Sequence, residues 1–319
     1  MKQILILTTS NDTSSFEVIN WINFYGYKAI IINENSKLSI KKIDFVENEI
    51  CFKIDKVEYR MSNIISFWFR RGEIDLNFKE LFNQIIQLDE KIILNHLSLE
   101  ENSMKEFFMY CLNCKKNKIN DYQYSITNKL YLLKKAKEVG LEIPKTLVIS
   151  KKSDLLEFYK NNNHEIITKN IQDLFIEIRN NKLYKSLTNE IDKKTIDGLS
   201  DNFYPSLFQE KINRDFEVRS FYLNNTFYSQ AIFSSSSDID YRNYSKDYRI
   251  SKFILPNEIK IKLLEIINFF SIDSGSIDLI YSKNKFYFLE INPFGQFGHL
   301  SFYNNYRIEQ IIAKYLCEI

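Results

Sequence analysis

Asp278, Glu290 and Asn292 are the residues whose types and spacing could do chemistry together. The last two lie in FYFLEINPFGQFG, Phe286 to Gly298, and the first in the strand-like SIDLIY before it. Side chains alternate along a strand, so Phe288, Glu290 and Asn292 are expected on one face and Tyr287, Leu289 and Ile291 on the other. Ser276, Asp278 and Ile280 are expected to share a face of the preceding strand. Asp278 and Glu290 are symmetric about Asn284, and a three-residue loop from Lys283 to Lys285 would place them directly opposite each other. Two facing carboxylates repel unless a cation lies between them or one is protonated. With the amide oxygen of Asn292 they form an all-oxygen set. Such a set suits Mg2+, which keeps its remaining positions for water and phosphate oxygens. The alternative is an exposed edge hairpin, against which the apolar surroundings and the NPxG ending argue.

A chain of 319 residues supplies the core and the two or three units needed to hold such a hairpin. With 7 Gly and 4 Pro, its turns must come largely from Asn, Asp, Ser and Lys, and the pair Gly295 and Gly298 stands out. The net charge of +2 calls for neither nucleic acid nor an anionic membrane. No apolar run approaches a membrane span, and MKQILILTTSND reads as a first strand instead of a signal peptide. Cys51, Cys111, Cys114 and Cys317 fit a reducing, cytoplasmic setting. The single CxxC, Cys111 and Cys114, reads as two small residues on one helix between Ser103 and Lys118. Lys115, Lys116 and Lys118 read as a solvated linker in preference to a peptide dock. His96, His164 and His299 fall in no catalytic pattern, which disfavours histidine-based chemistry.

QILILTT is a continuous apolar run, the pattern of a buried parallel strand. SSFEVINWINFYG follows with helical spacing at Phe16, Ile19 and Ile22 and stops at Gly26; YKAIIIN is a second strand. IISFWFRRGE reads as a strand ending in Arg70 and Arg71, and LFNQIIQLDEKIILNHL as helix then strand. TNKLYLLKKAKEVGLEIPKTLVIS reads as a helix closed by Gly140, a turn at Pro144 and a strand. DFEVRSFYLNNTFYSQAIFS is a hairpin about Asn224-Asn225, a good type I′ pair that sets Arg219 opposite Gln230. NYRIEQIIAKYLCEI reads as an amphipathic helix. Three units are expected, residues 1–120, 121–206 and 207–319, in an α/β chain that turns α+β in its C-terminal part.

IDLIY with FYFLEINPFGQFG resembles the metal-binding end of the ATP-grasp ligases. The resemblance implies that Asp278, Glu290 and Asn292 hold Mg2+ against the phosphates of ATP. NKLYLLKKAKEVGLEIPKT and EIITKN are similar to the family's phosphate-binding segments and place Lys129 and Lys169 there. FQEKI resembles the hinge that meets adenine, here Gln209, Glu210, Lys211 and Ile212. DFEVRS resembles the strand with a phosphate- and substrate-facing arginine, Arg219. Within the superfamily the likeness is strongest to the graspetide peptide maturases, through FWFRRGE, SQAIFSSSSDIDYRNY with Arg242, INPFGQFGHLS and the helix after it. Ser234 to Ser237 stand where that family often has Gln, and His299 where an apolar residue is expected. The implied fold is ATP-grasp with an N-terminal α/β pre-ATP-grasp domain.

The implied reaction joins an Asp or Glu side chain of a ribosomal precursor peptide to a Thr, Ser or Lys side chain of the same peptide. ATP phosphorylates the carboxylate, and the hydroxyl or amine displaces phosphate. Arg219 and Arg242 would grip the carboxylate and its acyl phosphate with bidentate forks. Arg70 and Arg71 have two readings: holders of the acidic peptide, where α/β clefts lie, or a surface pair in local salt bridges. The expected partners are the leader and acidic core of that peptide, with a homodimer allowed and neither nucleic acid nor membrane. A ligase of free amino acids and a non-catalytic binding protein are the rival readings.

Overall fold

The computed structural model describes residues 2–76, 91–121, 128–172, 176–179, 182–186, 188–234 and 248–318. The chain forms two compact units, the first made of Met1–Ile126, Ile272–Ser274 and Gln296–Ile319. Its chain runs β1 (Gln3–Leu7), α1 (Thr13–Phe24), β2 (Lys28–Ile32), β3 (Leu38–Asp44), β4 (Glu49–Ile54), β5 (Val57–Arg60), β6 (Ile64–Phe69), α2 (Lys91–Asn113) and β7 (Asn117–Ile119). Strands β2-β1-β6-β7 form a parallel sheet in that order, and β3-β4-β5 an antiparallel one. Ile4, Leu5, Ile6 and Leu7 are fully buried, as a parallel strand covered on both faces requires.

Three expectations are corrected here. The buried stripe of α1 is Ser15, Val18, Ile19 and Ile22, the i, i+3, i+4, i+7 series, so Phe16 stands one position off it and is 48% exposed. KIILNHL is the start of α2, not a strand: the run from Lys91 has no Gly or Pro to stop a helix, and it buries Phe108, Met109 and Leu112 at helical spacing. The basic stretch is not a solvated linker. Asn117–Ile119 is the edge strand β7, Lys118 Nζ lies 2.7 Å from Asp273 Oδ2, and Lys115 Nζ donates to the Met61 carbonyl at 2.8 Å. Cys111 lies on α2 and Cys114 just past its end, both as free thiols.

The second unit comprises Thr127–Ser271 and Gly275–Gly295. It runs α3 (Lys129–Glu138), β8 (Thr146–Lys151), α4 (Lys152–Asn161), β9 (Ile166–Lys169), the hairpin β10 (Ile176–Arg179) and β11 (Lys182–Lys185), β12 (Asn189–Glu190), α5 (Lys193–Asp197) and β13 (Asn202–Glu210). It continues through β14 (Phe216–Leu223), β15 (Thr226–Ser234), β16 (Tyr248–Phe253), α6 (Asn257–Phe269), β17 (Ser274–Ser282) and β18 (Lys285–Asn292). One sheet has the order β12-β9-β13-β8, and the other β16-β15-β14-β17-β18. Ile149, Leu155, Phe158, Ile166, Ile196 and Phe208 form the core beneath the first. Asn224 and Asn225 turn β14 into β15 with φ of 45° and 60°, the left-handed pair of a type I′ turn, and Arg219 pairs with Gln230.

Asp278 is paired with Glu290, but by a different route from the expected one. The turn between β17 and β18 has two residues, Lys283 and Asn284, at φ 49° and 62°. Carried along the ladder, that register would set Asp278 against Leu289. Instead Leu279 pairs with Phe288 and Asp278 with Glu290, leaving Leu289 as an inserted bulge residue. The bulge also reverses the alternation of faces. Phe288 and Ile291 are both buried, at 0% and 2% exposure, so Phe288 lies in the core and does not share the face of Glu290.

The chain then returns to the first unit in α7 (Gly298–Asn304) and α8 (Ile308–Cys317). Asn305 and Arg307 take positive φ of 52° and 56°, so the helix expected from Asn305 starts only at Ile308, and a separate short helix precedes it. α8 buries Ile308, Ile312, Ala313, Leu316 and Cys317, and it packs on α1 and β6.

Candidate functional site

Asn128 caps α3 by accepting the Leu130 N–H at 2.9 Å, which fixes Lys129 as the first helical residue. Lys129 Nζ lies 3.0 Å from Glu290 Oε2 on β18 and donates to the Asn170 carbonyl, just past β9, at 3.1 Å. Arg219, on β14 beside β17, places Nη1 3.3 Å and 3.4 Å from the two oxygens of Asp278. Each facing carboxylate therefore has its own cation, the compensation that like charges across a ladder need. Lys169 ends β9 in the same cluster. Burial pulls its ammonium down to about 8, Glu290 and Asp278 opposing the shift and Lys129 adding to it.

That displacement has a measurable sign. Between pH 8 and 10.5 the unfolded chain holds the Lys169 proton and the folded chain does not, so stability contributed by this residue rises with pH through that window. Phosphate binding needs the charged form and should weaken over the same range. Chemical unfolding and nucleotide titration of wild type and Lys169→Met across pH 8 to 10.5 should therefore show two opposite trends, both flattened in the variant. Parallel trends in the two proteins would assign the titration to other groups.

Asn292 Oδ1 accepts the Phe294 N–H at 2.9 Å, closing a tight turn and retaining a second lone pair. Gly295 is obligatory in this turn. A Cβ there would lie 2.2 Å from Ser276 Cβ, 2.3 Å from Ser276 Oγ and 2.9 Å from the Asn292 carbonyl oxygen. Gly275 is similarly confined, with Asn292 O at 2.9 Å and Pro293 Cα at 3.0 Å. A Cβ at Gly298, the other glycine of the motif, would meet nothing within 4 Å. At the end of β13, the Gln209 side chain is buried and donates to Thr146 Oγ1 at 2.7 Å. Glu210 Oε1 accepts the Lys145 N–H at 2.9 Å, and the Lys211 N–H donates to the Glu165 carbonyl at 3.0 Å. Ile212 follows, partly exposed, where the chain leaves the sheet.

In the first unit, Arg70 is 2% exposed. Its Nε lies 2.9 Å from Asp12 Oδ2, its Nη2 donates to Gln296 Oε1 at 3.3 Å, and its guanidinium sits 5.3 Å from the centre of the Phe297 ring. Ser14 Oγ donates to the same Gln296 oxygen at 2.6 Å. Burial pulls the guanidinium below its ordinary value and Asp12 opposes the shift. Neither sequence reading of Arg70 describes this: it is neither a surface ion pair nor open to a ligand, but ties the end of β6 to the start of α1 and to Gln296 and Phe297. Arg71, next along, is partly exposed and its N–H donates to the Leu7 carbonyl at 3.1 Å. His299 lies with its ring 4.5 Å from that of Tyr303. Arg242 and the serines from Ser235 to Ser237 fall outside the described residues.

No family model and no curated protein matches the chain. Solved structures do. The macrocyclase MdnC of Microcystis aeruginosa MRC, solved with its precursor peptide MdnA, is 23% identical at a TM-score of 0.78, covering 99% of this chain and 100% of that one. A RiPP-associated ATP-grasp ligase of Chryseobacterium gregarium, solved with ADP and a leader and core peptide, is 24% identical at 0.79, covering 100% and 97%. The ATP-grasp ligase PsnB, solved with a phosphomimetic minimal precursor, Mg and ADP, is 14% identical at 0.67, covering 100% and 98%. The chain has the ATP-grasp fold. Five of the side chains expected at an ATP-grasp centre, Lys129, Lys169, Arg219, Asp278 and Glu290, meet in the second unit. The donor set fits a hard cation: two opposed carboxylates and an amide oxygen, with phosphate and water left to complete the shell. Among the described residues no three His, Cys, Asp or Glu side chains converge as a metal-binding group, so the two carboxylates would need those added oxygens. The described residues include no helix long and apolar enough to cross a membrane.

Proposed function

We propose that this chain is an ATP-dependent macrocyclase of a ribosomally made precursor peptide. The observation that carries the reading is the placement of Lys129, Lys169 and Arg219 around the opposed Asp278 and Glu290 on an ATP-grasp fold. The solved relatives that hold precursor peptides support the peptide as substrate. Residues 1–120, 121–206 and 207–319 would serve as pre-ATP-grasp, central and C-terminal segments, acting in the cytoplasm.

In the reaction, an oxygen of a substrate Asp or Glu attacks the γ-phosphorus of ATP, the bond to the β-phosphate oxygen breaks, and ADP leaves. A Thr or Ser hydroxyl, or a Lys amine, then attacks the acyl carbon, loses its proton and expels phosphate. One water is lost per ring. Phosphoryl transfer depends on in-line positioning and on neutralised charge more than on a protein nucleophile. Lys129 and Lys169 supply point charges to the phosphates. Gln209 to Ile212 present backbone to the adenine edge. Arg219 and Arg242 hold the reacting carboxylate, and Arg71 an acidic residue of the peptide. Asp278, Glu290 and Asn292 would hold Mg2+, which when bound supplies a Lewis acid to the phosphate oxygens.

Mass spectrometry of an acidic, Thr-, Ser- or Lys-bearing precursor incubated with enzyme, ATP and Mg2+ tests the reading. Loss of one water per ring, dependent on ATP, is the expected result. Condensation of free amino acids with no effect on any peptide would replace it with the simpler ligase. Arg219→Lys should slow single-turnover ring closure at least about tenfold, the effect of losing about 1.4 kcal/mol, because an ammonium cannot form the bidentate fork. It should also weaken nucleotide binding. Wild-type rates would remove Arg219 from the reacting centre.

A further inference from the structure

We propose that Lys129 and Arg219 act as internal counter-cations, holding Glu290 and Asp278 until nucleotide phosphates draw them away. A divalent cation then binds these carboxylates well with nucleotide and weakly without it. The proposal rests on the reading of Asp278 and Glu290 as metal ligands. Its evidence is geometric. Lys129 Nζ is 3.0 Å from Glu290 Oε2, and Arg219 Nη1 is 3.3 Å and 3.4 Å from the Asp278 oxygens. The cations are 15% exposed and their carboxylates 33% and 26%, so both pairs are partly shielded from solvent. A dication bonded to either carboxylate at about 2.1 Å would sit within a few ångströms of a fixed positive charge. Lys129 can leave Glu290 without stranding its charge, because the Asn170 carbonyl is already a second acceptor at 3.1 Å. Phosphate oxygens offer both cations stronger partners than a single carboxylate does. Nucleotide and metal are thereby coupled through these two side chains as well as by direct contact, and the coupling is reciprocal.

The test is a nucleotide-free Mn2+ titration of the full chain, following the unbound ion by electron paramagnetic resonance. Lys129→Met keeps an unbranched stem and removes the charge. It should bind Mn2+ at least about fivefold tighter than wild type, a modest coupling on the usual scale. Adding Glu290→Gln should erase the gain. Arg219→Gln should show a gain of its own, erased by Asp278→Asn. ADP should tighten Mn2+ binding by a smaller factor in Lys129→Met than in wild type. Circular dichroism of each variant checks that the fold is kept. Mn2+ binding unchanged or weaker in both Lys129→Met and Arg219→Gln, with Mn2+-dependent ADP binding lost in Glu290→Gln, would overturn the proposal and leave the metal-ligand reading standing. Undiminished Mn2+-dependent ADP binding in Glu290→Gln would overturn that reading and the proposal with it.

Discussion

Glu290→Gln is expected to leave the protein folded and to cut ring formation at least about a thousandfold, the loss of about 4 kcal/mol of transition-state stabilisation. The swap is nearly isosteric, and Glu290 is 33% exposed, so packing should survive. What disappears is one of two carboxylates in a set whose third oxygen, on Asn292, already accepts a backbone N–H. A hard dication with one carboxylate and a shared amide oxygen is held poorly. The folded state also loses the contact with Lys129, a partly exposed pair worth at most about 1 kcal/mol. Urea unfolding should therefore change little while mass spectrometry shows no ring. Full ring closure at limiting Mg2+ would mean that Glu290 is not a ligand.

Gly295→Ala should have the largest effect on stability, at least about 2 kcal/mol, because the added methyl has no room to relax into. The obstruction is rigid: Ser276 Cβ lies 2.2 Å from the new Cβ, and the Asn292 carbonyl 2.9 Å from it. Any adjustment must move β17 or the turn that follows Asn292, so activity should fall together with stability. Ser276→Gly in the same chain removes the nearest obstruction but not the carbonyl, and should restore part of the loss. Gly298→Ala is the control, with open space on every side and a helical backbone, and should unfold like wild type or slightly later. Denaturant midpoints of the four proteins decide it. A Gly295→Ala midpoint equal to that of Gly298→Ala would show that the turn yields easily.

The hairpin is legible in outline because strand alternation and Asn-rich turns are local signals, as at Asn224-Asn225. Its register follows from two departures that cancel. The turn is one residue shorter than expected, and Leu289 is inserted where no Gly or Pro marks a bulge. The face of Phe288 depends on that insertion, so simple alternation assigns it wrongly. Lys129 and Lys169 can be placed by resemblance, but their company cannot, since it depends on how α3, β9 and β18 converge. Arg70 is the least legible. Its partners Asp12 and Gln296 stand 58 and 226 positions away, and no local pattern distinguishes an arginine that a fold will bury from one that it will display. The start of α2 reads as a strand because a short apolar run suits helix and strand equally.

The first unit is closed by residues from far along the chain, and this bears on how the protein comes into being. The apolar face of α8, Ile308, Ile312, Leu316 and Cys317, covers α1 and β6, which the ribosome delivers more than two hundred residues earlier. While the whole second unit is being synthesised, the parallel sheet must wait with one side uncovered. Such contacts of long sequence separation form slowly, and the exposed strands are prone to associate with other nascent chains. The second unit, nearly contiguous in sequence, carries no such delay, so the unit that holds Asp278 and Glu290 is expected to assemble before the one that encloses Arg70.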